Sequence, residues 1–120
     1  MKDTTYLGTL SEIKIMAKFI EDGYEVYNQI NGKSSIDMVV MKDENLYKVS
    51  CKSTMTMNRQ KTGWSVQLRT VRPNRTTCVI KNFDNTTCDI LAIYIEPEDR
   101  ILIFKSLDVN VKTSMVIPMM

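Results

Sequence analysis

The sequence predicts an α+β domain: a central mixed sheet of about five strands with an N-terminal helix packed on one face. Three observations predict it. Apolar residues recur at helical spacing ahead of Gly23. Three short strand-like segments follow between residues 24 and 53, divided by polar turns. Two apolar runs, DILAIYI (Asp89–Ile95) and RILIFK (Arg100–Lys105), then return as a strand pair.

Residues 1–8 read as an irregular lead-in. Thr9 or Ser11 is a suitable cap for a helix running to about Asp22, and Gly23 suits the left-handed position just past its end. Ile13, Met16, Ala17 and Ile20, with Leu10 one turn earlier, form the expected buried stripe, and Glu12 lies on its border. Tyr24–Ile30 alternates as a strand, and Asn31-Gly32 marks a turn. IDMVVM, the turn KDEN and LYKVSCKS complete a meander. From about 54 to 87 the pattern breaks into a long, polar, irregular insertion in which only WSVQLRT has strand character. Loops of that length are usually functional or disordered. Glu96–Asp99 turns the chain between the last two strands, and the tail starts like a short helix at Ser106.

At 120 residues the chain is sized for one domain, 1–120, with one core. It has no apolar run of the roughly 20 residues that span a bilayer and no signal-peptide core at its start. The expectation is a soluble, cytoplasmic (intracellular) protein with no membrane partner. Net charge is only +2, but its distribution is uneven. Eight cations fall between Lys48 and Lys81, with no acid until Asp84, which suits a phosphate-facing surface. Cys51, Cys78 and Cys88 show no metal-ligand spacing, and Cys51 reads as a packing residue in a strand. There is no histidine, which excludes imidazole bases and Cys/His zinc sites. Hydrolytic chemistry would have to rest on carboxylates, lysine and a hard cation.

The stretch Ile36–Lys52 offers that combination. Asp37 opens one strand, and Ser50 and Lys52 close its partner on a shared face, because strand side chains alternate. A carboxylate suits Mg²⁺, which takes oxygen ligands and keeps several waters. A neighbouring lysine can orient water or stabilise charge on a phosphate. Gln67 and Arg69, on the strand-like part of the insertion, are candidates for contact with the phosphate backbone. Arg72 and Arg75, in a basic Pro-Asn turn, suit bidentate phosphate contacts, and Arg59 and Lys61 extend that grip. Trp64 is expected to anchor the insertion to the body. Asp89, at the start of a buried strand, is expected to satisfy neighbouring backbone or pair with a cation.

The order of parts, GTLSEIKIMAKFIEDGYEVY, SSIDMVV and LYKVSCKS, resembles the PD-(D/E)XK nuclease superfamily. It looks closest to the small branch of Holliday-junction resolvases and nuclease-fold group I intron homing endonucleases. The matching features are Glu12 soon after Gly8, the Gly23-Tyr24 helix end, Ile36-Asp37-Met38-Val39-Val40, and a strand ending x-Lys at Lys52. Asp89 and Tyr94 match the branch's later strand, which an acid opens and a tyrosine nearly closes. The resemblance spans about residues 7–107. It implies a restriction-endonuclease-like core and a Mg²⁺-dependent DNA endonuclease, with Mn²⁺ able to substitute. Asp37 would be the main metal ligand, Glu12 would lie near the metal and scissile phosphate, and Lys52 would be the catalytic lysine. Ser50 stands where the family has Glu or Gln, so the Cys51 backbone carbonyl and water would complete the ligand set.

Three readings follow. The first is a DNA endonuclease of homing or junction-resolving type, working as a homodimer or homotetramer because so small a domain covers little DNA. The second is a catalytically impaired DNA-binding protein on the same fold. The third is a phage or mobile-element interaction protein that blocks a partner.

Overall fold

The computed structural model describes residues 3–30, 34–73 and 78–120. Helix α1 (Thr4–Glu21) starts six residues earlier than a Thr9 cap would place it, and the cap is Asp3, whose Oδ1 accepts from the Tyr6 N–H at 2.8 Å. Ser11, expected as a cap, is instead a buried mid-helix residue that donates to the Gly8 carbonyl at 2.9 Å. The C-terminus closes as expected. Gly23 has φ +89°, its N–H reaches Ile20 O, and the Tyr24 N–H reaches Phe19 O, both at 3.0 Å. The Phe19 and Tyr24 rings meet edge to face at 5.2 Å, the apolar contact of a Schellman ending.

The helix is rotated relative to the expected stripe. Leu7, Ser11, Ile15 and Phe19 are buried, whereas Ile13 and Ile20 are 55% and 60% exposed. Leu10 and Met16 pack only at the margin of the core, and Ala17 is exposed. The chain carries two apolar stripes on this helix, and the one with 4-residue spacing meets the sheet.

The main sheet has five strands in the order β1-β2-β3-β7-β8: β1 (Glu25–Asn28), β2 (Met38–Lys42), β3 (Asn45–Thr54), β7 (Ile90–Ile95) and β8 (Arg100–Lys105). Only β3 and β7 are parallel, so the sheet is mixed as expected. The turn between β2 and β3 has positive φ at both central residues, Asp43 (52°) and Glu44 (68°), the backbone a two-residue hairpin requires. The Asn31-Gly32 turn lies outside the described residues.

Strand β7 explains the layering. Ala92 and Tyr94 face α1, in a core with Ile15, Phe19, Met38, Val40 and Val49. Leu91, Ile93 and Ile95 face the other way, into a second core with Trp64, Val66, Leu68, Val109 and Ile117. A strand buried on both faces reads as an unbroken apolar run.

That second core corrects the reading of 54–87 as irregular. The segment carries β4 (Gly63–Gln67), β5 (Thr70–Pro73) and β6 (Cys78–Lys81). β4 pairs with β9 (Ser114–Pro118), a strand the tail gave little sign of, and the pair covers the sheet face opposite α1. A Cβ on Gly63 would lie 2.6 Å from the Ile117 carbonyl oxygen, so glycine is what lets the two strands approach there. Trp64, 8% exposed, anchors the segment as expected. β5 and β6 form a separate two-stranded sheet. Among the described residues, no helix is long and apolar enough to cross a membrane.

The helix phase is checked by alanine substitution followed through denaturant unfolding. Ile15→Ala should cost about 2–5 kcal/mol, whereas Ile13→Ala should change stability by no more than about 0.5 kcal/mol. In the hairpin, Glu44→Gly should stabilise by about 1 kcal/mol, since glycine accepts positive φ without a Cβ clash. A loss of stability there would mean that the Glu44 side chain matters more than its backbone.

Candidate active site

Strand β3 has ten residues and β2 has five. Their register places Met38 opposite Val49, so β3 runs on past the start of β2. Asp37 sits at that divergence. Its N–H donates to the Val49 carbonyl at 2.9 Å, extending the ladder by one rung. Its Oδ2 then accepts from the Cys51 N–H at 2.7 Å, replacing the strand neighbour that β3 has lost. Ser50, 7% exposed, donates its hydroxyl to the Ser35 carbonyl at 3.1 Å and ties down the approach to β2.

Beyond this point a cavity of about 500 Å³ opens. Asp37, Ser50, Cys51 and Lys52 line one wall. Opposite register partners place Ser50 and Lys52 beside Leu91 and Ile93, on the sheet face that carries β4 and β9. Cys51 packs with the α1 core, as its packing role predicts. Glu12 is not part of the cavity wall. It approaches from the helix side, close enough for its charge and that of Asp37 to interact. Lys14, two residues on, pairs with Asp99 Oδ1 at 3.1 Å, and the Tyr94 hydroxyl donates to the same oxygen at 2.7 Å. These contacts pin α1, and Glu12 with it, to the far end of β7.

The electrostatics are consistent with that placement. Burial pushes the Asp37 carboxyl up, opposed by the Cys51 N–H and the Lys52 ammonium. Burial pushes Glu12 up as well, and the Asp37 charge adds to it. Burial holds Lys52 below the ordinary lysine range while Asp37 pulls it back. Burial also raises the Cys51 thiol far out of reach of neutral pH, with Asp37 and Glu12 reinforcing it, so the thiol is inert. Two carboxylates that resist ionisation together are a donor set that fits a hard divalent cation. No group of three or more Asp, Glu, Cys or His side chains with metal-holding geometry occurs among the described residues. A backbone carbonyl and water would therefore have to complete the shell.

The proposed nucleic-acid contacts divide. Gln67 and Arg69 are exposed and do not line the cavity. Arg59 and Lys61 are exposed on the tight turn that Asn58 closes before β4, and they do not line it either. Arg72 lies in β5 opposite Val79, and Arg75 lies outside the described residues. The facing wall is built instead by Thr70, Lys81, Asn82 and Asp84. Lys81 was legible only as one of eight cations in the basic window. The other three carried no sequence signal, because their role depends on where β5 and β6 stand. Asp89 does satisfy neighbouring backbone: its Oδ2 accepts from the Lys48 N–H, and its own N–H reaches Lys48 O, both at 2.8 Å.

Comparison with known proteins decides the family. The family model described as PD-(D/E)XK endonuclease matches residues 2–118. The chain belongs to the PD-(D/E)XK endonuclease family. Protein 5.3 of Escherichia phage T7 is 32% identical over 117 residues, covering 98% of this chain and 92% of the phage protein. The bacterial homing endonuclease I-Ssp6803I superposes with a TM-score of 0.86, covering 99% of this chain and 80% of that one. At 18% identity the likeness speaks for the fold.

The raised Glu12 pKa has a thermodynamic consequence. A carboxyl whose folded pKa exceeds its unfolded one lends stability below the unfolded value, and loses it as pH rises through the folded value. Charged Glu12 is therefore a burden near neutrality. Glu12→Gln should melt higher than the wild type at pH 7, with the gap closing below about pH 4. Thermal melts across that range measure it, and a gap independent of pH would contradict the assignment.

Proposed function

We propose that this protein is a divalent-metal-dependent DNA endonuclease that hydrolyses phosphodiester bonds at the Asp37–Lys52 cavity. The observation that carries the reading is the convergence of these two side chains on one hollow, with the Asp37 carboxylate fixed by a backbone N–H. Membership of the endonuclease family supports it.

Asp37 and Glu12, with the Cys51 carbonyl, would hold Mg²⁺, or Mn²⁺ in its place. When bound, such a cation acidifies water and offsets charge gathering on the phosphate. The chain's own residues do the rest. The Cys51 N–H occupies Oδ2 of Asp37 and so fixes which way the carboxylate presents its other oxygen. Lys52, partly withdrawn from water, is placed to stabilise an anionic phosphate, because charge interactions strengthen where water is excluded. Its depressed pKa also brings proton exchange nearer to neutral pH. Ser50 works by holding Ser35 at the mouth of the cavity rather than as a substitute carboxylate. Cutting both strands of a duplex calls for two such sites, supplied by a homodimer or homotetramer. A homing or junction-resolving substrate is the finer form of this reading.

One observation favours a second reading: among the described residues, no third acidic side chain joins Asp37 and Glu12 in a metal-holding group. With so few anionic ligands, a protein that binds DNA without cutting it remains the rival. A third, a phage interaction protein that blocks a partner, has its support in the likeness to the phage protein.

Supercoiled plasmid incubated with Mg²⁺ or Mn²⁺ separates them. Nicked or linear product should appear, and Lys52→Ala and Asp37→Asn should each lower its rate about 10²–10⁴-fold. Ser50→Ala should lower it by less than about 10-fold, the scale of one lost neutral hydrogen bond. Independently of activity, millimolar Mn²⁺ should raise the melting temperature of the wild type but not of Asp37→Asn. Steeply salt-dependent binding without product would favour the second reading. Neither binding nor cutting would favour the third.

A further inference from the structure

We propose that a second hollow, next to the Asp37–Lys52 cavity, takes one unpaired nucleotide of the substrate strand beside the phosphate that is cut. The inference deepens the endonuclease reading above and rests on it for the place of that phosphate.

Three observations carry it. The first is position. The hollow has a volume of about 460 Å³ and lies between residues 82–85 and 109–112. Asn82, Phe83 and Asp84 line both it and the Asp37–Lys52 cavity, so a strand leaving one passes directly into the other. The second is that its walls are fixed. The Phe83 N–H donates to the Lys112 carbonyl at 2.8 Å, and Asn85 Nδ2 donates to the Val109 carbonyl at 2.9 Å. Val109 belongs to the second core and Phe83 packs against it.

The third is the chemistry of the lining. Asn82 and Asn110 present exposed amides, each able to donate and accept at a base edge. Phe83 and Val111 offer apolar surface to a base face, and Lys112 offers a cation to a phosphate. Nucleotides drawn out of a stack are held by this combination of edge hydrogen bonds and aromatic or apolar contact. The acid among the lining residues, Asp84, is already engaged. Its Oδ1 accepts from the Thr86 hydroxyl at 2.6 Å and the Thr86 N–H at 2.9 Å, and the charges of Lys81 and Lys112 also act on it.

Size selects an unpaired nucleotide. Pockets of about 300–1,000 Å³ enclose one small ligand, and a nucleotide is of that scale while a stacked base pair is not. Drawing out a paired nucleotide costs unpairing and unstacking, which an unpaired one largely avoids.

The test measures binding without divalent metal, so that no strand is cut, by the anisotropy of labelled oligonucleotides. A duplex carrying a single-nucleotide bulge should bind the wild type about 10-fold tighter than the same duplex fully paired. Val111→Trp, which puts an indole into the hollow, should bring that ratio within about 2-fold, and Asn110→Ala should lower it about 3-fold, the scale of one lost hydrogen bond. Both positions are exposed and lie outside the two cores and the Asp37–Lys52 cavity. Both variants should therefore melt within a few degrees of the wild type and bind the paired duplex as it does. Equal binding of the two duplexes by the wild type overturns the proposal, and so does a bulge preference that Val111→Trp leaves intact. Free nucleoside monophosphates form a second arm. If they bind the wild type more tightly than the bulged duplex does, and Val111→Trp abolishes that binding, the hollow serves a free nucleotide and the proposal fails. These outcomes are distinct from those of the plasmid assay. Nicking without a bulge preference counts against the hollow, whereas a bulge preference without nicking supports the hollow and counts against the endonuclease reading.

Discussion

Asp37 is held at the point where two strands of unequal length part company, and the site follows from that mismatch. β3 continues beyond β2 and would leave its Cys51 N–H without a partner on that side. A buried, unpaired amide is costly. The Asp37 carboxylate takes the place of the missing strand. The same contact that completes the backbone also fixes a buried carboxylate at the edge of a cavity. One hydrogen bond thus completes the backbone and orients the carboxylate.

The layers on either side hold that edge still. β7 lies against β3 in parallel and is buried on both faces, so it couples the α1 core to the β4–β9 core. Glu12 comes from one side of this sandwich and Lys52 opens toward the other. Asp37, between them, is reached electrostatically by both. The Lys14–Asp99–Tyr94 contacts fix the helix to the end of β7, so Glu12 depends on a rigid element rather than a loop.

The cavity carries charge at some expense in stability. Burial disfavours the ionised forms of Asp37, Glu12 and Lys52 together. Groups strained in this way are concentrated where a ligand later relieves the strain. A cation would suit the carboxylates and a phosphate would suit the lysine. The buried thiol of Cys51 is held protonated by the same surroundings, which keeps it out of the chemistry.

Much of this was written in the sequence. The α+β class, the Gly23 helix ending, the hairpin from β2 to β3 and the convergence of Asp37 with Lys52 all follow from local rules: strand alternation, left-handed glycine and turn composition. The phase of α1 did not. The helix has apolar residues on two faces, and the stripe containing Ile13 and Ile20 is as plausible locally as the one containing Ile15 and Phe19. Only the sheet beneath decides which is buried. The β4–β9 pair was half hidden for a similar reason: WSVQLRT carries strand character and becomes β4, but its partner at 114–118 lies nearly fifty residues on and does not announce itself alone. Thr70, Lys81, Asn82 and Asp84 reach the cavity only because the chain between β4 and β7 passes over it. Periodicity and turn chemistry act over a few residues, so the sequence by itself determined the first helix, the strands of the main sheet and the pairing of Asp37 with Lys52 on neighbouring strands. Which faces are covered, and what faces that pair across the cavity, depended on long-range contacts that only the folded chain makes.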